Sequence, residues 1–229
     1  MKKIGFIGAY DKTDFVLYVG RILVEMGQRV LMIDGTITQK ARYIIPTMEE
    51  EKSYVTNFEG VDVAVGLRSL EEIATCLGTP ELQYDIVLID TDTAGGVASY
   101  RVQESEKIYF TTSFDLYSIK RGIESVAGIP QTVNATKVLF TRNGLKEEDE
   151  YLNYLSKDTN IRWDKEIIYF PFELGDQSII YRNQRVAKIK MARLSNQYKE
   201  GLLYIVSQIL QEDNYSLLKK TIKKIERGV

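Results

Sequence analysis

Four side chains with the chemistry of a magnesium–nucleotide site follow short apolar segments of the chain. Lys12 and Thr13 stand in the stretch GFIGAYDKTDF, residues 5–15, directly before a helical pattern. Asp34 and Asp90 each end a later apolar segment, RVLMID and YDIVLID. In such a site a lysine binds the phosphates, a hydroxyl binds Mg²⁺, and an aspartate holds the water shell of the metal. The sequence therefore predicts a nucleotide site in which Thr13 and Asp90 serve the metal, Asp90 through water.

The loop that leads to Lys12 lacks most of the glycines that a phosphate-binding loop needs. The candidate phosphate contacts are Gly8, Ala9, Tyr10, Asp11, Lys12 and Thr13. Such a loop binds through converging backbone N–H groups, and glycine permits their close approach. Asp11 adds a Cβ and a negative charge that repels a polyphosphate. Asp11 is also a good N-cap for a helix that begins at Lys12, so the loop could bind a nucleotide in altered geometry or bind none.

The segments around these residues alternate between strand and helix patterns. Seven short runs, apolar at consecutive positions, are typical of strands covered on both faces. They are residues 3–8, 29–34, 61–66, 84–90, 107–112, 137–142 and 166–171. The helix candidates are residues 12–26, 69–77, 115–127, 146–157 and 189–211. The alternation predicts an α/β fold, with a mostly parallel sheet of about seven strands and helices on both faces, and with ligands at the carboxyl ends of the strands.

The composition is that of one globular domain and excludes several kinds of site. The chain has 229 residues, of which 44% are hydrophobic and 27% charged, and a net charge of −2. It contains no histidine and one cysteine, Cys76, which excludes histidine-based catalysis, cysteine-ligated metals and internal disulfides. No apolar run is long enough to span a membrane, and the apolar part of the N-terminus is too short for a secretory signal. These observations predict a cytoplasmic protein.

The C-terminal segment differs from the rest, so residues 1–213 and 214–229 are treated as two units. Five cations stand against a single acid in NYSLLKKTIKKIERGV. The apolar residues that recur at helical spacing are Tyr215, Leu218, Ile222 and Ile225. This pattern predicts a short basic amphipathic helix. The helix could dock its apolar stripe on the domain or bind an anionic membrane surface, and contact with DNA phosphates ranks below both.

The spacing of the site residues resembles that of the ParA/MinD family of P-loop ATPases, which carry the loop KGGxGK[ST][ST], a helix, a glycine, and a strand ending in aspartate. Aligned without a gap, Lys12 and Thr13 take the places of the phosphate lysine and the magnesium hydroxyl. Gly27 and Asp34 take those of the glycine and the aspartate. YDIVLID resembles the Walker B strand, with Asp90 as its acid. The resemblance covers about residues 3 to 211 and implies the P-loop NTPase class, with ATP or ADP and Mg²⁺ as cofactors.

The sequence departs from this family at positions that the family uses for phosphate binding and hydrolysis. The lysine that opens the family's loop, and reaches across the ATP-bound dimer, falls on Ile7. Two loop glycines fall on Ala9 and Asp11. The second aspartate of the family's D-x-D segment, which is tied to activation of water, falls on Thr36. No catalytic residue is therefore assigned.

The resemblance implies a positioning or switch protein that works as a homodimer and recruits protein partners. The departures favour weak or no ATP hydrolysis, for which TadZ-like proteins of pilus assembly, ParA relatives with atypical loops, are the nearest model. The alternatives are a nucleotide-free pseudo-ATPase scaffold for a secretion or pilus system, and an active ParA-type partition ATPase. In MinD-like members a basic C-terminal helix attaches the protein to the inner membrane face, so residues 214–229 could give a peripheral location there.

Three further segments carry weaker signals. The family's base-contacting asparagine falls on Thr141, with Asn143 two residues later, where a plain turn is the simpler interpretation. YRNQRVAKIK, residues 181–190, is basic and could lie near the nucleotide or on a partner surface, although a solvated face is simpler. IYFPFE, with Pro171, resembles a late strand of the family, and LSNQYKEGLLYIVSQIL resembles its closing helix.

Overall fold

The computed structural model describes residues 1–47, 52–141, 146–170 and 174–227. Its strands are β1 (Lys2–Ile7), β2 (Val30–Gly35), β3 (Tyr54–Phe58), β4 (Val61–Val65), β5 (Ile86–Thr91), β6 (Lys107–Thr112), β7 (Val133–Phe140) and β8 (Ile161–Phe170). They form one sheet in the order β3-β4-β2-β5-β1-β6-β7-β8. Only the pair of β3 and β4 is antiparallel among these strands. The predicted mostly parallel α/β sheet is confirmed.

Helices cover both faces of the sheet, as predicted. They are α1 (Thr13–Glu25), α2 (Ala41–Ile44), α3 (Leu70–Cys76), α4 (Ala94–Ser99), α5 (Leu116–Val126), α6 (Lys146–Ser156), α7 (Leu174–Arg185), α8 (Asn196–Leu210) and α9 (Tyr215–Arg227). α1, α8 and α9 share one apolar core with one face of the sheet. α3, α4, α5 and α6 contribute to a second core on the other face.

The centre of the sheet brings the ends of three strands to one edge. β5 lies between β1 and β2, and all six of its residues are buried. In the register of the parallel pairs, Ile7 lies opposite Thr91 and Asp34 lies opposite Asp90. The residues that follow β1 therefore meet the ends of β2 and β5, where an open α/β sheet binds its ligands.

The sheet has eight strands rather than about seven, because β3 escaped prediction. β3 pairs with β4 in a hairpin whose two connecting residues, Glu59 and Gly60, have φ of +53° and +88°. Two consecutive positive φ values are typical of the tight turn that suits the twist of a hairpin, and Asn-Gly or Asp-Gly usually marks it. The turn was not predicted because glutamate, rather than asparagine or aspartate, stands at its first position. The preceding run YVTNF does have the composition of a strand.

The region between β8 and the last helices also differs from prediction. α7 was not predicted, because its sequence carries few apolar residues at helical spacing. The helix predicted over residues 189–211 begins only at Asn196. Ile189 and Met191 are buried between exposed neighbours, which is the alternation of an extended chain. Ser195 then caps α8 through its hydroxyl, which accepts a backbone hydrogen bond at 3.1 Å.

The predicted C-terminal helix is present as α9, and the domain covers its apolar stripe except for Tyr215, which is 37% exposed. Leu218, Ile222 and Ile225 are 0%, 5% and 7% exposed and share a core with α1 and α8. Lys224 Nζ lies 2.6 Å from Glu25 Oε1 on α1. Docking on the domain, one of the two leading interpretations, is the arrangement found here. In the described part of the chain, no helix is long and apolar enough to cross a membrane.

Candidate functional site

Residues 8–13 form what we call the candidate loop. The ammonium group of Lys12, which belongs to this loop, lies inside the protein. Lys12 is the N-cap residue of α1 and is 2% exposed. Its Nζ donates to the carbonyl oxygens of Gly8 at 2.7 Å and Thr91 at 3.2 Å, and lies 2.8 Å from Asp90 Oδ1. Three protein oxygens therefore surround the three donors of this ammonium. A phosphate oxygen can bind Lys12 only by replacing one of them.

Asp90 joins Lys12 and Thr13 into one buried cluster at the end of β5. Thr13 Oγ1 donates to Asp90 Oδ2 at 3.0 Å. Lys12 approaches Asp90 Oδ1 as an ion pair rather than as a well-aligned hydrogen bond. Burial raises the pKa of the Asp90 carboxyl to about 6, while the Lys12 charge lowers it and the charge of Asp34 raises it further. The lysine, hydroxyl and acid predicted for the site are thus brought together.

Asp34 lies beside Asp90 in the sheet, but its carboxylate serves the loop after β2. Oδ1 accepts hydrogen bonds from the Thr36 backbone N–H at 3.1 Å and the Thr36 hydroxyl at 2.6 Å. Oδ2 accepts from the backbone N–H of Ala41 at 2.8 Å, at the start of α2. These bonds satisfy the carboxylate locally, so Asp34 acts on the Lys12 cluster through its charge alone.

Asp11 does not cap α1, and that prediction was wrong. α1 begins at Thr13, and its N-cap, Lys12, makes no side-chain capping hydrogen bond. Asp11 Oδ2 instead lies 2.6 Å from Lys40 Nζ, which lies equally close to Asp14 Oδ2. The full charge of an ammonium binds a carboxylate more strongly than a neutral N–H group does. We call these two ion pairs the Lys40 bridge.

The carboxylates of the Lys40 bridge hold Lys40 in its charged form. Burial lowers the pKa of Lys40, but the carboxylates of Asp14 and Asp11 raise it, and the result is about 12. Lys40 therefore stays protonated throughout the neutral pH range.

Packing fixes the remaining residues of the candidate loop. Gly8 has φ of +132°, and a Cβ at this position would lie 2.1 Å from the Thr111 carbonyl oxygen. Glycine is therefore required there both for its dihedral angle and for space. Tyr10 stacks on Phe140 with 4.5 Å between ring centroids, and burial raises the pKa of its hydroxyl to about 12. Ala9 is partly exposed.

Two cavities flank the Lys40 bridge. The loop cavity, of about 420 Å³, is lined by residues 9–13 and by the segment after β2. The aromatic cavity, of about 230 Å³, lies between the candidate loop and α7, and Phe15, Phe140 and Tyr198 form its apolar wall. Gly8, Asp34 and Asp90 line neither cavity, so they support the site from within the sheet.

Sequence reasoning missed several side chains of the loop cavity. They are Thr38, Lys40, Tyr43, Asp92 and Tyr117. All follow the carboxyl ends of strands, and that position was a usable signal. The pairing of Lys40 with Asp11 had no signal, because 29 residues separate them. Asn143, for which a plain turn was the simpler interpretation, and Pro171, in the segment that resembles a late strand, lie outside the described residues.

No family model matches the sequence, and no curated protein matches it significantly. Solved structures, in contrast, match nearly the whole chain. MinD of Aquifex aeolicus, also solved in complex with MinC, has a TM-score of 0.56 at 14% identity, over 93% of this chain and 98% of its own. A plasmid partition protein of Borrelia burgdorferi bound to AMPPNP has a TM-score of 0.54 at 12% identity, over 92% of this chain and 98% of its own. The ParA of pNOB8 bound to nonspecific DNA has a TM-score of 0.52 at 14% identity, over 93% of this chain and 99% of its own.

The chain has the MinD/ParA fold. The resemblance drawn from the spacing of Lys12, Thr13, Gly27 and Asp34 is thereby confirmed for the fold. At 12–14% identity the likeness does not extend to ligands, which must be argued from the site itself.

On the MinD/ParA fold, the donor set around Thr13 suits Mg²⁺ held together with a phosphate. Mg²⁺ is usually bound by one or two protein oxygens, with waters and phosphate oxygens completing its shell. Thr13 Oγ1 and Asp90 Oδ2, 3.0 Å apart, supply such a pair. Within the described residues, no group of three acidic or cysteine side chains could hold a metal by itself. A metal at this site would therefore depend on its nucleotide.

Proposed function

We propose that the chain is a nucleotide-binding positioning or switch protein of the ParA/MinD type, with weak or no ATP hydrolysis, which acts through dimerisation and partner recruitment. The observation that carries this proposal is the contact of Lys12, Thr13 and Asp90 beside a cavity of about 420 Å³. The AMPPNP complex of a protein with the same fold supports nucleotide use. Lys12 would exchange one protein oxygen for a phosphate oxygen, and Thr13 and Asp90 would hold Mg²⁺.

Two positions support weak hydrolysis. Ile7, at the place of the family's dimer-crossing lysine, is 0% exposed in the core and carries no charge. Thr36, at the place of the acid tied to water activation, donates its hydroxyl to Asp34 at 2.6 Å. Neither residue supplies a base, or a cation for the charge that develops on the transferred phosphate. An active partition ATPase is therefore the less supported form of this function.

Calorimetry with ADP and ATP, with Mg²⁺ and then with EDTA, tests the proposal. The wild type is expected to bind MgADP with a dissociation constant of roughly 10 µM to 1 mM, because the ligand must displace a partner of Lys12. Lys12→Met is expected to lose this binding. Thr13→Val leaves the Lys12–Asp90 pair in place. This variant is expected to lose only the part of the nucleotide affinity that depends on Mg²⁺. No binding to the wild type at millimolar nucleotide would refute the proposal, and turnover above about 1 per second would indicate an active ATPase.

A nucleotide-free scaffold is the second candidate, and one observation favours it. The Lys12 ammonium donates hydrogen bonds to two protein carbonyls and forms an ion pair with Asp90, so the cluster holds together without a ligand. A scaffold of this kind would show no heat with either nucleotide and the same oligomeric state with and without it. The calorimetric experiment therefore separates the two candidates.

Four large side chains near the candidate loop support dimerisation or partner recruitment. Ile37, Tyr43, Leu116 and Tyr117 are 64%, 79%, 60% and 69% exposed. Tyr43 and Tyr117 line the loop cavity, and the other two are their near neighbours in sequence. Exposed apolar and aromatic side chains gathered around one site are typical of protein interfaces. A second copy bound to this surface would cover the mouth of the cavity.

A basic surface on α7 and the following segment supports contact with an anionic partner. Residues 177–199 contain six cations and no acid. Arg182, Lys190 and Arg193 line a pocket of about 190 Å³, and none of them forms an ion pair with a described residue. Nucleic acid phosphates fit such a group of cations, because each contact neutralises the charge of one phosphate. Membrane contact through residues 214–229, and a peripheral location, would require α9 to leave the core.

Combined replacement of Arg182, Lys190 and Arg193 by glutamine is expected to weaken binding of a random-sequence DNA duplex by about tenfold or more at low salt. Three phosphate contacts predict a slope of about −2.7 in log K against log salt concentration, and the variant should lose most of it. Fluorescence anisotropy over a salt series measures both quantities.

The matched control for this surface carries the same loss of charge elsewhere. Lys120, Lys165 and Lys223 are exposed on other elements, and their combined replacement by glutamine should leave duplex binding within about twofold. Equal losses in the two triple variants would show a net-charge effect. Binding to anionic vesicles but not to duplex would assign the surface to a membrane instead.

A further inference from the structure

The Lys40 bridge joins the segment after β2 to the candidate loop through Asp11 and to the start of α1 through Asp14. The side chains of Lys40 and Asp14 are 23% and 14% exposed, and that of Asp11 is 59% exposed. Gln184 on α7 donates its amide to both carboxylate oxygens of Asp14, at 3.0 and 2.8 Å. The Lys40–Asp14 pair is shielded from water and is therefore stronger than a fully exposed pair. It anchors Lys40, and the more exposed pair with Asp11 ties the loop to this anchor.

The same bridge is the wall between the loop cavity and the aromatic cavity. Tyr10, Asp11 and Lys40 line both. Small-molecule sites measure about 300–1,000 Å³, and the aromatic cavity, at about 230 Å³, is smaller than that range. A ligand that extends from Lys12 to the aromatic cavity must pass through the space that Lys40 fills.

The backbone around Lys40 is anchored and strained. Gln39 has φ of +46°, a value that residues with a Cβ rarely adopt. Its N–H donates to Thr36 Oγ1 at 3.1 Å, and the Ile37 N–H donates to Asp92 Oδ1 at 3.0 Å. The segment is thus fixed to the ends of β2 and β5 while its strained residue directs Lys40 toward the candidate loop. Strain of this kind is common in segments that switch between two conformations.

We propose that the Lys40 bridge is a strap that ties residues 36–40 to the candidate loop, and that a nucleoside di- or triphosphate bound at Lys12 can extend into the aromatic cavity only after the strap opens. The identity of the ligand rests on the proposed function, whereas the closed strap rests on the ion pairs alone. Opening joins the two cavities. Asp11 then has a role at a position where phosphate loops carry glycine, since its carboxylate holds Lys40.

Whether Lys40→Ala binds MgADP more tightly or more weakly than the wild type tests the strap. If Lys40 only neutralised Asp11 and attracted phosphate, Lys40→Ala would weaken binding of MgADP. The strap predicts the opposite, tighter binding by about tenfold or more, because the closed state no longer competes with the ligand. Lys188→Ala breaks an ion pair with Glu59 of similar length, 2.9 Å, and serves as the matched control with unchanged affinity. Weaker or unchanged binding by Lys40→Ala would overturn the proposal.

Hydrogen exchange of the ligand-free protein separates the strap from the proposed function. Lys40→Ala is expected to speed exchange in residues 9–15 and 36–44 together, while Lys188→Ala leaves both segments unchanged. If neither the wild type nor Lys40→Ala binds nucleotide, the proposed function fails, and faster exchange in both segments would still support the strap. Unchanged exchange in either segment would overturn the strap, whatever the nucleotide result.

Discussion

Lys12→Met is expected to lower the free energy of unfolding by about 3–5 kcal/mol near neutral pH, because it leaves Asp90 buried without its cation. Asp90 is 0% exposed, and Lys12 Nζ at 2.8 Å and Thr13 Oγ1 at 3.0 Å are the side-chain groups in contact with its carboxylate. Methionine keeps the apolar stem of the lysine, so the loss reports the charge and not a cavity. Urea denaturation of the two proteins measures the difference.

Two further variants make this result specific. Lys12→Met combined with Asp90→Leu removes both charges and is expected to recover most of the loss, since replacing a whole buried pair by apolar side chains is often neutral. Lys188→Met breaks an exposed pair and should cost less than about 1 kcal/mol. A cost below about 1 kcal/mol for Lys12→Met would show that water or a rearranged partner stabilises Asp90.

The size of this loss depends on pH in a predictable direction. Burial raises the pKa of Asp90 to about 6 in the folded protein, above about 3.9 for an unfolded aspartate, so the folded state binds the proton more tightly. The stability that this carboxyl contributes is therefore full below pH about 4 and is lost as the pH rises through about 6. Without Lys12 the folded pKa is higher still. The variant is thus expected to regain stability from neutral pH to about pH 5 more steeply than the wild type.

Leu218→Ala is expected to cost about 2–5 kcal/mol, because it leaves a cavity beneath α9. Leu218 is 0% exposed, whereas its neighbour Leu217 is 40% exposed. Leu217→Ala is therefore a matched control with the same chemical change and an expected cost below about 0.5 kcal/mol. For a domain of this size, each kcal/mol moves the melting temperature by about 2–4 °C, so thermal unfolding distinguishes the two variants.

Equal effects of Leu217→Ala and Leu218→Ala would contradict the docked position of α9. The apolar stripe would then be free in solution, and attachment to an anionic surface would again be as well supported as docking. A large difference between them would mean that any membrane role carries the cost of undocking α9.

The sequence allowed us to predict that the candidate site residues meet at one edge of the sheet, but not which contacts they make. Lys12, Thr13 and Asp90 follow buried strands, and strand ends in a parallel sheet converge for geometric reasons. The contact of Asp11 could not be predicted in this way. Its position before α1 favours an N-cap, but Asp11 forms an ion pair with Lys40, which is distant in sequence. Lys40 comes from a segment with no strong pattern, and only the tertiary structure shows which carboxylates it meets.

The same distinction explains which elements were missed. The central strands are apolar at consecutive positions, so each can be recognised from its own sequence without knowledge of the elements that pack against it. β3 lies at the edge of the sheet, and its interior residues are less buried than those of the central strands, so its pattern is weaker. α7 is stabilised by particular contacts, such as that of Asp176 with the Ser195 hydroxyl at 2.7 Å, rather than by an apolar stripe.

The packing of α1 has a consequence for how the protein is made. α1, which carries Thr13 and follows Lys12, is covered by α8 and α9, and Thr221 contacts Met26 across 195 residues of sequence. During synthesis the candidate loop leaves the ribosome long before the helices that hold α1 in place. Contacts between such distant segments form slowly, and the apolar face of α1 is exposed in the meantime. The packing of α1 is therefore expected to be completed only after α8 and α9 emerge.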